Sequence, residues 1–297
     1  MKIEQKLKGF KKNILLKNYT TFKIGGSAKY FFVARTKEDL IKAIQKAKAL
    51  KLPFFILGGG SNVLVNDSGY KGLVIKMENI KYKLKNKNLI YAESGSPFKK
   101  IVKFASNNSL TGLEWAAGIP GTIGAAVYGN VAAFGLTIME AIKSIEALDI
   151  KKMKFKNLSR KKINFGNKDS LFKKNKNLII ISIVLKLKKG NSSKIKNKIK
   201  EVLNYRKKRH PLNFPSAGCI FKNPSSDSRS AGELIDKCGL KGKTIGGAKI
   251  SEKHANFIIN TGRARAEDVV KLIKIIKNKV RRKFGIKLEE EIQYLGF

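Results

Sequence analysis

Cys219 stands in Pro215-Ser216-Ala217-Gly218-Cys219-Ile220-Phe221-Lys222-Asn223-Pro224. Two prolines and a glycine can hold one side chain rigidly toward a pocket there, but a free cysteine is more commonly a small buried residue, and spacing alone favours that reading. Cys238, which ends an apolar helix before Gly239, reads as structural. Glu289-Glu290-Glu291 is the densest acidic run in a chain with only 21 acidic residues. On an alternating strand Glu289 and Glu291 face one way and Glu290 the other. A solvated edge and a carboxylate aimed into a polar site both fit that run. Two glycine loops are the other candidates. Gly58-Gly59-Gly60-Ser61-Asn62 follows an apolar strand, and successive glycine N–H groups can wrap a diphosphate as an anion nest. An ordinary turn explains the same residues, and no Gly-x-Gly-x-x-Gly opens a helix. Gly118-Ile119-Pro120-Gly121-Thr122-Ile123-Gly124 offers a compact backbone surface for a flat cofactor, with tight packing as the plainer alternative. Two such loops, each beside strands, are more specific than either alone. Gly242-Lys243-Thr244 imitates the end of a P-loop, but Lys237 occupies the required upstream glycine position and no helix follows.

The whole-chain arithmetic narrows the classes. With 297 residues, 42% hydrophobic and 28% charged, the chain can fill a core and is not disordered. Two Cys and two His supply neither a disulfide framework nor a four-ligand zinc site, so no metal is expected. No apolar run approaches a membrane span, and the start lacks a leader-like apolar stretch; a soluble cytoplasmic protein without membrane insertion is the expectation. The net charge of +42 invites a nucleic-acid reading. Yet nine of the basic residues are Arg and 54 are Lys, spread along the chain without the Arg and aromatic interleaving that nucleic-acid surfaces favour. Codon composition accounts for such lysine, and a positive field also attracts polyanionic small molecules. No nucleic-acid partner is expected, and a monomer is.

The elements that must position these residues follow from patterning. Tyr30 to Ala34, Phe54 to Leu57 and Leu73 to Met77 read as strands around a helix opened by a capping box at Thr36 to Asp39. A second block begins near Lys81. It holds a strand at Leu89 to Glu93, a helix from Phe98 to Ser109 with Pro97 at its first position and Gly112 closing it, and strands at Ser144 to Ile150 and Leu178 to Leu187. Lys188 to Ser193 reads as a linker. Beyond it come a helix carrying Ile195, Ile199 and Val202, a capped helix at Ser230 to Cys238, a strand at Phe257 to Asn260, a long helix at Ala266 to Phe284 stopped by Gly285, and a final strand at Ile286 to Leu295. The resulting blocks are 1–79, 80–190 and 193–297, the last strand being free to return to the first block.

Taken in order, six segments resemble the UDP-N-acetylenolpyruvoylglucosamine reductase (UDP-N-acetylmuramate dehydrogenase) family of flavoenzymes: Asn18 to Gly26, Ile56 to Leu64, Gly118 to Gly124, Ser216 to Pro224, Ile245 to Phe257, and Phe284 to Glu291. The resemblance covers nearly the whole chain and points to the compact subclass without an inserted substrate loop. It implies an α+β protein: a two-subdomain FAD-binding fold of the PCMH type plus a C-terminal α+β substrate-binding domain. It implies noncovalent FAD held by Gly58, Gly59, Gly60, Ser61, Asn62, Gly118, Ile119, Pro120, Gly121, Thr122 and Gly124. No His precedes His210 and no Cys precedes Cys219, so the covalent flavin links of related oxidases have no anchor in the N-terminal lobe. It implies ping-pong peptidoglycan-precursor chemistry, with NADPH as donor and UDP-N-acetylglucosamine-enolpyruvate as the nucleotide-sugar substrate. Hydride passes from flavin N5 to C3, and an enzyme acid protonates C2.

Two departures carry the interest. The family's proton donor is Ser, matched here by Cys219; a thiol near pKa ~8.5 releases a proton far more readily than an alcohol. The family's active-site Arg falls on Lys168 in Phe165-Gly166-Asn167-Lys168-Asp169-Ser170, exchanging a planar fork for a point charge, with Arg160 nearby as the alternative. Glu291 falls on the catalytic Glu, and Asn223, Lys222, Arg209 and His254 fall at substrate-contacting positions. Another noncovalent flavin oxidoreductase of the same fold, and a basic nucleic-acid-binding protein, are the competing readings.

Overall fold

The computed structural model describes residues 9–297. They divide into two units, each with its own apolar core. The first gathers Phe32–Gly59 and Val74–Tyr205 with residues 9–10; the second gathers Lys11–Phe31, Gly60–Leu73 and Arg206–Phe297.

Near the N-terminus lie strands β1 (Lys11–Leu15) and β2 (Ser27–Ala34), helix α1 (Lys37–Ala49), and strands β3 (Phe54–Leu57), β4 (Val63–Val65) and β5 (Tyr70–Met77). Four of them form a sheet in the order β1-β2-β5-β3. The capping box at α1 is formed: Thr36 Oγ1 accepts from the Asp39 N–H (3.1 Å) and Asp39 accepts from the Thr36 N–H (3.2 Å). Strand β1 was not foreseen, because Lys11-Lys12-Asn13 hides its pairing to β2 behind an exposed face.

The first unit's main sheet adds β6 (Tyr82–Asn86), β7 (Leu89–Glu93), β8 (Ile142–Asp149), β9 (Lys154–Ser159) and β10 (Leu178–Lys186), ordered β9-β8-β10-β7-β6 and antiparallel throughout. Central β10 is buried along nearly its whole length, as its Leu-Ile-Ile-Ile run requires. Helices α2 (Phe98–Asn107) and α3 (Ile123–Tyr128) contribute Phe98, Ile101, Ile123 and Val127 to the same core as Ile145 and Ile183.

Three boundaries differ from the sequence reading. Pro97 is the residue before α2 rather than its first, with ψ at 125°; Phe98 opens the helix and donates its N–H to Gly121 O (2.9 Å). The helix ends at Asn107, short of Ser109, which turns away with φ of 53°. Lys188–Lys189 pairs with Leu110–Thr111, so the expected linker is partly sheet, and α4 (Ser192–Arg209) starts at Ser192.

In the second unit β11 (Ser216–Cys219), α5 (Ala231–Lys237), β12 (Ala248–Ile250), β13 (Phe257–Asn260), α6 (Ala266–Phe284) and β14 (Gln293–Leu295) complete the chain. The antiparallel sheet runs β11-β13-β12, then Thr244–Ile245. Helix α6 lays Val269, Leu272, Ile273, Ile276 and Val280 into the core, each worth about 1.5–3 kcal/mol relative to exposure. Asp67 receives the Ala266 N–H (3.0 Å) at its start, and Gly285, in the left-handed region at φ 73°, ends it. The expected terminal strand is extended but divides its partners. Residues 289–291 bond to Ile220 and Lys222, while β14 alone runs parallel to β4. Among the described residues no helix is long and apolar enough to cross a membrane.

Candidate active site

In the first unit the two glycine loops meet. A Cβ added to Gly59 would lie 2.5 Å from Gly121 Cα, and one on Gly58 would lie 2.8 Å from Thr122 Oγ1. Gly124 is equally confined, 2.6 Å from Ser94 Cβ. Packing therefore explains Gly58, Gly59 and Gly124. Conformation explains Gly118 and Gly121, with φ of 81° and 104°, and Gly60 in the second unit, with φ of 65°. Gly60 is also pressed against Tyr19, whose carbonyl would sit 2.1 Å from an added Cβ.

Packing does not account for the donors. The N–H groups of Gly59, Gly60 and Gly121 make no hydrogen bond among the described residues. Thr20 Oγ1, whose Cα lies close behind Gly60, is buried without a partner. Backbone donors left open beside glycines suit an anion such as a diphosphate. Around them Gly118 and Pro120 are exposed, Ile119 and Ser61 are half-buried, and Thr122 caps α3 by accepting the Ala125 N–H (3.3 Å). The Asn62 Nδ2 donates to Glu291 O (3.0 Å), tying the first loop to the acidic run within the second unit.

Lys168 also belongs to the first unit, on a tight turn closed by Gly166 and Asp169, with φ of 53°. That turn hangs on the segment after α3. Asn130 Nδ2 donates to Gly166 O (2.8 Å), Ser170 Oγ to Tyr128 O (2.7 Å), and Lys168 Nζ to Ala132 O (3.4 Å). Asn130 Oδ1 is buried without a partner. Arg160, the alternative to Lys168, is exposed in the one-turn helix Arg160–Lys162.

The second unit assembles the side-chain chemistry. Gly218, at φ 77°, breaks the register of β11 against β13, and Cys219 pairs opposite Phe257, half-buried. The Glu291 N–H donates to Ile220 O (2.7 Å), Phe221 bridges Glu290, and the Lys222 N–H donates to Glu289 O (2.9 Å). The 219–222 and 289–291 segments are therefore neighbours. Asn256 clamps the first, its Oδ1 accepting the Phe221 N–H (2.9 Å) and its Nδ2 donating to Phe221 O (2.8 Å). The three glutamates part ways. Glu289 pairs with Lys222 (3.1 Å), and Glu290 with Lys277 (2.7 Å). Glu290 also bonds Tyr294, whose phenol pKa is raised mainly by burial. Glu291, half-buried, follows directly on this pair. Asn223 Oδ1 accepts the Ala231 N–H (3.1 Å) ahead of α5.

Of the remaining expected contacts, Arg209 is exposed at the end of α4. Arg206, one turn earlier, is buried at 8% exposure beside His210. Sequence reasoning missed Arg206, although it extends the Ile195-Ile199-Val202 stripe by four residues. His254 stacks edge-on against His210 (5.4 Å between centroids), and both lie on Phe257. Burial depresses both imidazole pKa values. His210, also facing His254 and Arg206, is lowered to about 4.

Comparison with known proteins gives these features a context. The FAD binding domain model matches residues 28–151, and the model of the UDP-N-acetylenolpyruvoylglucosamine reductase C-terminal domain matches residues 210–295. The chain is 40% identical to the UDP-N-acetylenolpyruvoylglucosamine reductase of Caldanaerobacter subterraneus, over 95% of this chain and 92% of that protein. Against the protein of the same name from Caldicellulosiruptor bescii it is 42% identical, over 97% and 91%. A crystal structure of UDP-N-acetylenolpyruvylglucosamine reductase from Thermus caldophilus superposes with a TM-score of 0.81 at 34% identity, covering 96% of this chain and 98% of that one. The expected architecture, an FAD-binding α+β fold followed by the reductase's own C-terminal domain, is the one found.

Proposed function

The chain belongs to the UDP-N-acetylenolpyruvoylglucosamine reductase family, and on that footing we propose that it reduces UDP-N-acetylglucosamine-enolpyruvate to UDP-N-acetylmuramate, with noncovalent FAD and with NADPH as donor. The observation that carries the reading is the second unit's adjacency: the Glu291 N–H donates at 2.7 Å to the carbonyl of Ile220, the residue after Cys219.

In the first unit, Gly59 and Gly121 offer their open N–H groups to the FAD diphosphate. FAD, when bound, supplies a carrier that accepts hydride from NADPH and delivers it to C3 of the enolpyruvyl group. The rest falls to side chains. Hydride addition at C3 builds negative charge at C2 and on its carboxylate, which needs cations or hydrogen-bond donors and then a proton. Cys219 gives its thiol proton to C2, and the thiolate regains one from solvent. Glu291 is held at fixed height by Asn62 and Ile220 to polarise the developing enol. Lys168 offers an ammonium to the carboxylate, and Lys222, Asn223, Arg209 and His254 bind the nucleotide sugar.

The purified protein should carry the visible absorbance of bound oxidised flavin, bleach on NADPH, and recover colour on the enolpyruvyl substrate. A folded protein that stays colourless after reconstitution with FAD would end the flavoenzyme reading. One that bleaches with NADPH but is not reoxidised by this substrate would point to another acceptor.

A further inference from the structure

Lys76 sits in β5 within Leu73-Val74-Ile75-Lys76-Met77, whose apolar members are all buried. Its ammonium donates to Gly58 O at 2.6 Å, directly beneath the first glycine loop. Three N–H donors therefore meet one hydrogen-bonding acceptor among the described residues. The carboxylate acting on Lys76 is Glu78, two residues on, which also faces Arg35 at 3.7 Å. A half-buried cation with one protein acceptor carries a desolvation cost, and that partial burial lowers its pKa. The cost has a purpose where negative charge arrives. Gly58 adjoins Gly59, whose N–H is open and whose Cα packs on Gly121, another open donor. Open backbone donors and a half-buried cation thus lie about the Gly58–Gly59 step of the first unit.

We propose that Lys76 is a positioning residue that charges the glycine turn from behind, so that the turn selects a diphosphate, that of FAD, over a neutral group. This rests on reading the turns as the FAD site. Lys76 supplies field and fixes the Gly58 carbonyl; the glycine N–H groups make the direct contacts.

The test is titration of apoprotein with FAD, ADP and UDP at several salt concentrations, in wild type, Lys76→Gln, Lys76→Met and Lys76→Arg. Circular dichroism confirms folding of each. Lys76→Gln keeps a donor for Gly58 O but removes the charge. Its FAD and ADP affinities should fall by about tenfold or more, and their salt dependence should flatten, which loss of a merely structural hydrogen bond would not cause. Lys76→Met should be no better than Lys76→Gln, Lys76→Arg should bind FAD within about threefold of wild type, and UDP, taken up by the nucleotide-sugar residues of the second unit, should be indifferent to all three. Unchanged FAD affinity and salt dependence in Lys76→Gln would overturn the proposal. So would an Arg variant as weak as Gln, or a loss confined to UDP. Wild-type protein that is folded yet binds no FAD would instead defeat the reading of the site, and the proposal with it.

Discussion

The glycine turns and the paired 219–222 and 289–291 segments are built from opposite kinds of residue. At the turns the groups left open are backbone N–H groups, and side chains matter chiefly by being absent. Gly59 exists because Gly121 Cα is 2.5 Å from where its Cβ would be. At the strands the backbone is fully engaged, with Ile220, Phe221, Lys222 and Glu291 all in hydrogen bonds, and the working atoms are side-chain ones held at fixed height. A backbone site is set by sterics and tolerates no added carbon. A side-chain site is set by backbone pairing and tolerates exchange of one polar atom for another; on the proposed reading, that lets the Cys219 thiol serve as the acid.

That contrast makes sharp predictions. The largest effect is expected from Gly59→Val, which drives branched carbon into Gly121. Flavin content on purification should fall by about 100-fold or more, since overpacking against backbone costs several kcal/mol; a yellow, fully loaded variant would show the turns are looser than described. Lys168→Ala should come next. It should raise KM or lower kcat for the enolpyruvyl substrate by about tenfold, with NADPH reduction of flavin unaffected and Lys168→Arg fully active. Equal damage to both half-reactions would assign Lys168 to the fold.

A smaller effect is expected from Asn62→Ala, which strips Glu291 O of its side-chain donor. Loss of about 1 kcal/mol in unfolding free energy, with a few-fold drop in kcat, would mark Asn62 as the strut between loop and acidic run. The mildest is thermal. The folded-state pKa of His210 lies near 4, below its unfolded value, so the unfolded chain takes up the proton first. Stability is then lost as pH falls from about 6.5 toward 4. Melting curves across that window should slope down for wild type and run a few degrees flatter for His210→Gln.

What the sequence revealed tracks the same division. Gly60, Gly118 and Gly121 were legible because positive φ leaves few other residues, and the α6 stripe because five apolar positions repeat at helical spacing. The role of Asn62 was hidden because its partner, Glu291, lies 229 residues away. Lys76 and Arg206 were passed over for being basic among so many basic residues. Only their neighbours, an apolar strand and an apolar helix stripe, mark them as inward. Pro97 misled by one position because Phe98 N–H is claimed by Gly121 O, so that the residue before the helix, not the first within it, meets proline's fixed φ.

The account turns on Cys219 as the source of the C2 proton, and stopped-flow measurement of the two half-reactions of Cys219→Ala examines it most directly. Flavin reduction by NADPH should stay within about twofold of wild type, while reoxidation by the enolpyruvyl substrate slows by ~10²-fold or more, the range for a lost general acid. Reoxidation at the wild-type rate would contradict the account and leave the thiol a packing residue.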